Sequence, residues 1–147
     1  MQIRKALDSD LQSLVELFKK YLLFYKRDFS HDRCEAFLLE RLKNYDSAIY
    51  VAESDEKFLA GFIQLYPIFS SLSQKRSWIL NDLFVDESVR GMGVGKKLLD
   101  TAQEHSFKSG ANGLSLQTAI DNVSAQKLYQ KNGWVKESEF STYYFNH

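Results

Sequence analysis

Apolar and polar positions alternate along the 147-residue chain in a way that divides it into short strands and amphipathic helices. Residues 2–6 read as a short strand, and Asp8 or Ser9 can cap a helix in which Leu11, Leu14, Val15, Phe18, Tyr21, Leu22 and Tyr25 recur at helical spacing. That helix ends on aromatic residues, with Phe24-Tyr25 before Lys26-Arg27-Asp28, and Tyr25 reads as core edge or as the wall of a substrate pocket. Asp32 with Glu35 gives a capping-box-like start to a second helix, whose Phe37, Leu38 and Leu42 face inward and which Asn44 closes. Residues 48–53 and 58–66 read as antiparallel strands around the turn Ser54-Asp55-Glu56-Lys57, with Gly61 relaxing the middle of the second. Pro67 ends that strand, and a serine-rich loop over 68–76 leads to a strongly apolar run at 78–85.

The run at 78–85 is short and bounded by charge, as a buried strand should be, and it leads through Asp86-Glu87-Ser88 into Arg90-Gly91-Met92-Gly93-Val94-Gly95. Lys96-Lys97-Leu98-Leu99 then begins a helix that runs to about Ser109 and stops at Gly110. Glycines between a strand and a helix let the backbone approach a ligand, and the first N–H groups of the helix lack intrahelical partners. With the helix dipole, they make an anion site suited to phosphate or pyrophosphate. The nucleotide-triphosphate P-loop does not fit, because Arg90 stands where its first glycine should and Lys97 where it has Ser or Thr. The dinucleotide fingerprint fails too, since its third glycine is missing in either frame. A strand over 113–118, a helix capped by Asp121-Asn122 and ended by Gly133, and two last strands at 134–135 and 142–145 complete the chain.

What remains at the loop, Arg-x-x-Gly-x-Gly, resembles the pyrophosphate-binding motif of the GNAT superfamily of acetyl-CoA-dependent N-acetyltransferases. Asn122-Val123-Ser124-Ala125-Gln126-Lys127-Leu128-Tyr129, followed by Gly133-Trp134, is similar to the second signature of that family, in the right order and spacing. The resemblance implies an α/β (α+β) GNAT fold over a single domain, residues 1–147. Its mixed, mostly antiparallel sheet would be flanked by helices in the order β-α-α-β-β-β-α-β-α-β-β. It implies acetyl-CoA as co-substrate, held by Arg90, Gly91, Met92, Gly93, Val94, Gly95 and Lys96, and by the strand edge at Leu83, Phe84 and Val85 pairing with the pantetheine arm. A backbone N–H at Leu83 or Phe84 would face the developing oxyanion. Tyr129 would stand beside the sulfur.

Acetyl transfer to an amine needs a base, oxyanion stabilisation and a proton for the departing thiolate. A phenol of pKa ~10 is protonated at neutral pH and can serve a thiol of pKa ~8.5, which makes Tyr129 the general acid. Asn122 caps its helix, with or without a contact to the cofactor arm. Asn81 and Asp82 are the acceptor-side polar residues, and the Leu-Asn-Asp-Leu-Phe-Val strand is similar to that of diamine acetyltransferases, which carry two adjacent acids here. Asn81 can orient a water but not take its proton, leaving Asp82 or a solvent relay as the base. Strand alternation lets only one of the two face the acceptor. A small primary amine, a polyamine or an amino-acid-like compound, is the leading acceptor. A protein or peptide acceptor is the alternative, and a non-catalytic acetyl-CoA-binding module trails both.

Nineteen Lys and Arg balance nineteen Asp and Glu, so no net field favours nucleic acid or an anionic membrane surface. The longest apolar stretch, 59–69, is broken by Gln64 and Pro67 and is shorter than the ~20 residues of a membrane span. With no signal-peptide pattern, the expectation is a cytoplasmic protein. The single cysteine, Cys34, reads as helix packing, and no His/Cys cluster suggests a metal. A homodimer is expected by resemblance, through the edge of the last strand.

Overall fold

The computed structural model describes all 147 residues. They form two compact units, 1–117 and 118–147. In the first, the apolar pattern folds as β1 (Gln2–Lys5), α1 (Leu11–Phe24), α2 (His31–Asn44), β2 (Ala48–Glu53), β3 (Leu59–Ser70), β4 (Lys75–Val85), α3 (Val94–Lys108) and β5 (Leu114–Ser115). The sheet order is β1-β2-β3-β4-β5, with every neighbour antiparallel except β4 and β5, which are parallel. The mixed sheet flanked by helices is the architecture the motifs imply.

Alternation along the strands supplies two buried faces. One takes α1 and α2: Phe62, Phe84, Ile49 and Val51 pack with Leu14, Val15, Phe18, Cys34 and Leu38, so the cysteine is a packing residue as read. The other takes α3, where Leu98, Leu99 and Ala102 are fully buried and Tyr50 and Trp78 meet His105. Gly61 is needed on this second face: a Cβ there would stand 2.8 Å from the Phe84 carbonyl and 3.3 Å from Leu98 Cδ1.

Several local expectations are corrected. The second helix is capped by Ser30, whose hydroxyl accepts from the Arg33 N–H, not by Asp32, while its end agrees with the reading: Asn44 is its last residue, before Tyr45 turns left-handed. Pro67 does not end its strand. The β2 ladder stops at Ala48↔Leu65, so at Pro67 β3 has an open side that tolerates a residue with no N–H, and the β3–β4 hairpin continues to Ser70↔Lys75. Most of the expected serine-rich loop is therefore strand.

The second unit holds α4 (Val123–Lys131). The two last strands expected at 134–135 and 142–145 do not form: residues 134–147 join no ladder, and Val135, Phe140, Tyr143, Tyr144 and Phe145 are exposed. Aromatic, β-prone composition makes a strand only where a partner supplies the ladder hydrogen bonds. The strand expected over 113–118 likewise shortens to Leu114–Ser115.

Candidate active site

The β4 strand changes phase in its middle. Gln64 pairs with Asp82 but Leu65 pairs with Leu80, so Asn81 is an extra residue, a β-bulge. Below it, Trp78 faces α3, where its indole N–H donates to Ser109 Oγ at 2.9 Å. Above it, Asp82 and Phe84 face α1. An unbroken strand would put Asp82 on the same side as Trp78 and Leu80. The bulge interrupts the alternation assumed for Asn81 and Asp82: Asp82 is buried, Asn81 is exposed, and the Asn81 amide donates to Asp82 Oδ1 at 3.1 Å.

Asp82 is 5% exposed and surrounded by tyrosines. Tyr21 of α1 hydrogen-bonds to its carboxylate, and the Tyr21 ring is fixed by Phe18, Tyr25, Phe62 and Phe84 at centroid distances of 5.1–6.3 Å. Burial raises the Asp82 pKa above its ordinary value, opposed by the hydrogen bonds from Tyr21 and Asn81. Burial, together with the Asp82 charge, also raises the phenols of Tyr21, Tyr25 and Tyr66, which remain protonated donors. Tyr25, at the C-terminus of α1, is half-exposed and so forms the rim of this group rather than its floor.

The glycine loop follows β4 directly. Asp86 anchors it: buried, it accepts from the Ser88 N–H and hydroxyl and from Lys20 Nζ at 2.6 Å, and these contacts hold its pKa down to about 2. Gly91 and Gly93 take φ of +80° and +78°, which L side chains rarely adopt, and Gly93 is the N-cap of α3 with no side chain capping the helix. A fifteen-residue helix thus starts with uncapped N–H groups behind a left-handed turn, a geometry that fits a diphosphate. Val94 is buried beneath it, Gly95 is helical, and Met92 is exposed at the tip of the loop. Arg90 Nε donates to the Val85 carbonyl and its guanidinium lies over Phe84, while Lys96 Nζ pairs with Asp100 at 2.6 Å. On the β5 side the β4 ladder ends at Ile79↔Ser115, so in this unit Leu83, Phe84 and Val85 have no strand on that edge.

In the second unit Asn122 caps α4, accepting from the Ala125 N–H at 3.2 Å, as the sequence indicated. Tyr129 is half-buried in α4, its ring tilted against Trp134 at 6.1 Å, and its carbonyl accepts from the Trp134 N–H. The Gly-Trp end of the signature thereby folds back on its tyrosine.

Tyr21, Gln64 and Tyr66 were not picked out as a group in the sequence. Tyr21 sits in an apolar helical stripe that reads as core, and the signal that could have exposed Gln64 was a glutamine inside an otherwise apolar strand.

The chain matches the model of the Acetyltransferase (GNAT) family over residues 11–134. It is 43% identical over 146 residues to an uncharacterized N-acetyltransferase, YhfO, of Bacillus subtilis (strain 168), covering 99% of this chain and 97% of that one. A crystal structure of a probable acetyltransferase superposes with a TM-score of 0.95 at 40% identity, covering 100% of this chain and 98% of the other. A ribosomal-protein-alanine N-acetyltransferase from Brucella melitensis shares the fold, with a TM-score of 0.81 at 18% identity and full coverage of both chains. With both of its signatures lying inside the matched region, the chain belongs to the GNAT family and is an acetyltransferase.

Proposed function

We propose that the protein transfers the acetyl group of acetyl-CoA directly to a primary amine of a small molecule, a polyamine or an amino-acid-like compound, within a single catalytic domain. The observation that carries the acceptor class is the buried carboxylate of Asp82 within a group of tyrosine phenols. A carboxylate among aromatic rings favours a cationic amine, and burial makes that carboxylate a better proton acceptor than one in water. The 43% relative is itself named an N-acetyltransferase, which agrees with nitrogen as the acceptor atom.

In this reading the N-terminus of α3 and the 90–96 loop hold the diphosphate of acetyl-CoA, and the open edge at Leu83, Phe84 and Val85 accepts the pantetheine amides. The co-substrate supplies an acetyl thioester already activated for attack. Asp82 takes a proton from the ammonium, directly or through a water oriented by Asn81, and frees the nitrogen lone pair. A backbone N–H at Leu83 or Phe84 stabilises the negative charge on the carbonyl oxygen as the C–N bond forms. The nitrogen, which still carries two protons after the C–N bond forms, loses one to solvent; Tyr129 donates its proton as the C–S bond breaks, and solvent restores the phenol and takes the proton held by Asp82. Asn122 keeps the start of α4 ordered through its cap, and Tyr25 lines the acceptor's entrance. A cytoplasmic homodimer completes the reading on family resemblance alone, since residues 134–147 form no strand whose edge could pair, and light scattering on the purified protein reports the assembly.

The test is release of free thiol from acetyl-CoA against 1,4-diaminobutane, spermidine, free amino acids and a lysine peptide. Turnover of a small amine that drops ~100-fold or more in Asp82→Asn supports the reading. Turnover of the peptide alone replaces the acceptor class. Acetyl-CoA binding with no acceptor consumed overturns the assignment of the acceptor site.

A further inference from the structure

Gln64 is wholly buried in β3, yet only half of its amide is satisfied. Its Nε2 donates to Ser47 Oγ at 3.2 Å, and its carbonyl Oε1 is buried without a hydrogen-bond partner. A hydrogen-bonding atom left in that state destabilises a fold, and a leucine or methionine at this position would remove the penalty. What distinguishes Gln64 is its register. It is the cross-strand partner of Asp82, on the face of the sheet that carries Phe62, Phe84 and Tyr21, immediately beside the Asn81 bulge. Directly opposed residues on one face of an antiparallel pair hold their Cβ atoms ~5 Å apart, so a group bound at the carboxylate lies within reach of both.

We propose that Gln64 Oε1 is a specificity-determining group that accepts an N–H from the acceptor nitrogen held at Asp82, and so selects amines over hydroxyl compounds of the same shape. This rests on the placement of the acceptor at Asp82. An ammonium group has three N–H bonds. One proton passes to the Asp82 carboxylate and leaves a lone pair to form the bond to the acetyl carbon, a second N–H is held by Oε1 and stays in the amide, and the third proton leaves to solvent once the C–N bond has formed. A hydroxyl group has a single proton. If that proton goes to Asp82, Oε1 stays buried and unpaired, which is the situation in which a polar site rejects an analogue most strongly.

The experiment uses the full-length protein and the panel amine of highest kcat/KM, together with the alcohol in which OH replaces its reactive NH2, assayed as a competitive inhibitor. In Gln64→Met the KM for the amine should rise about tenfold or more, while the Ki of the alcohol stays level or falls and the KM for acetyl-CoA does not move. Its Tm should be equal to or above that of the parent, because a buried unpaired acceptor has gone. An unchanged ratio of amine KM to alcohol Ki, or a lowered Tm with that ratio intact, overturns the proposal and makes Oε1 a group serving the fold. If Gln64→Met does not fold, the parent decides alone: equal binding of amine and alcohol overturns the proposal. Asp82→Asn, run alongside, separates the two levels. Loss of turnover there with an unchanged ratio in Gln64→Met rejects only the Gln64 role, whereas no effect of either substitution, or no amine turned over, rejects the acceptor site with it.

Discussion

At the scale of single residues, function and stability pull in opposite directions at Asp82. Its pKa is raised by burial, so folding favours the protonated form, and the stabilisation this gives is present at low pH and lost as pH rises through the folded-state value. Above that value the ionised carboxylate therefore weakens the fold. Asp82→Asn, which can still accept from Tyr21, is expected to raise the Tm at pH values above the folded-state pKa, with the gain shrinking as the pH falls through that value and gone below the ordinary carboxylate range, followed by calorimetry across pH. The same elevated pKa gives kcat/KM an acid limb displaced above that of a solvent-exposed aspartate, and Asp82→Asn should abolish that limb. Tyr129 presents a different balance. Tyr129→Phe keeps the ring that packs on Trp134, and kcat should fall roughly 10- to 100-fold while the KM for acetyl-CoA changes little. An unchanged kcat would remove Tyr129 from the chemistry.

At the scale of elements, the glycines divide by the reason each is glycine. Gly91 and Gly93 have open space around a built Cβ and are constrained by their positive φ, whereas Gly61 is constrained by a neighbour's backbone. Gly61→Ala must push β3 away from the Phe84 carbonyl, a contact that cannot rotate aside. A loss of about 1–3 kcal/mol, or a Tm lower by roughly 2–10 °C, is expected and readable by thermal unfolding. Which parts of this were legible in sequence follows from how local each signal is. Asn122 and the 90–96 loop are specified within a few residues, as a cap and as a left-handed turn into a helix, and they stand where the pattern put them. The Asp82 group depends on α1, β3 and β4 meeting, and on a bulge that no periodicity announces, so only Asp82, Asn81 and Tyr25 of it could be named beforehand. The two final strands illustrate the converse. Trp134, Val135, Tyr143, Tyr144 and Phe145 have strand-forming side chains, but propensity does not supply a partner.

At the scale of the whole molecule, a chain with no net charge is held by a few well-placed ion pairs rather than by its overall field. Arg4 of β1 binds Asp10 and Glu53 together, tying the entry of α1 to two strands, and Lys20 ties α1 to the start of the glycine loop through Asp86. Asp10, Glu53 and Asp86 all have pKa values lowered by these partners, so the stabilisation is full above the ordinary carboxylate range and disappears as pH falls through the folded-state values. For Asp86 that window runs from 3.8 down to about 2. Lys20→Met should therefore lower the Tm at neutral pH, with the difference from the parent closing toward pH ~2; a gap that persists in acid would assign the effect to the lysine's aliphatic stem instead. The bulge at Asn81 belongs to this scale as well, because it makes β4 a strand written in two reading frames. Removing the Asn81 codon would make Leu80 and Asp82 neighbours, so ordinary alternation would hold them on opposite faces and the carboxylate would stay across from Gln64 on the tyrosine side; pulling the bulge straight with Asn81 kept would carry it to the tryptophan side. For this strand, then, the bulge is what absorbs the extra residue, and a relative that keeps Asp82 but lacks Asn81 has kept the acid on its face and lost only the amide that donates to it.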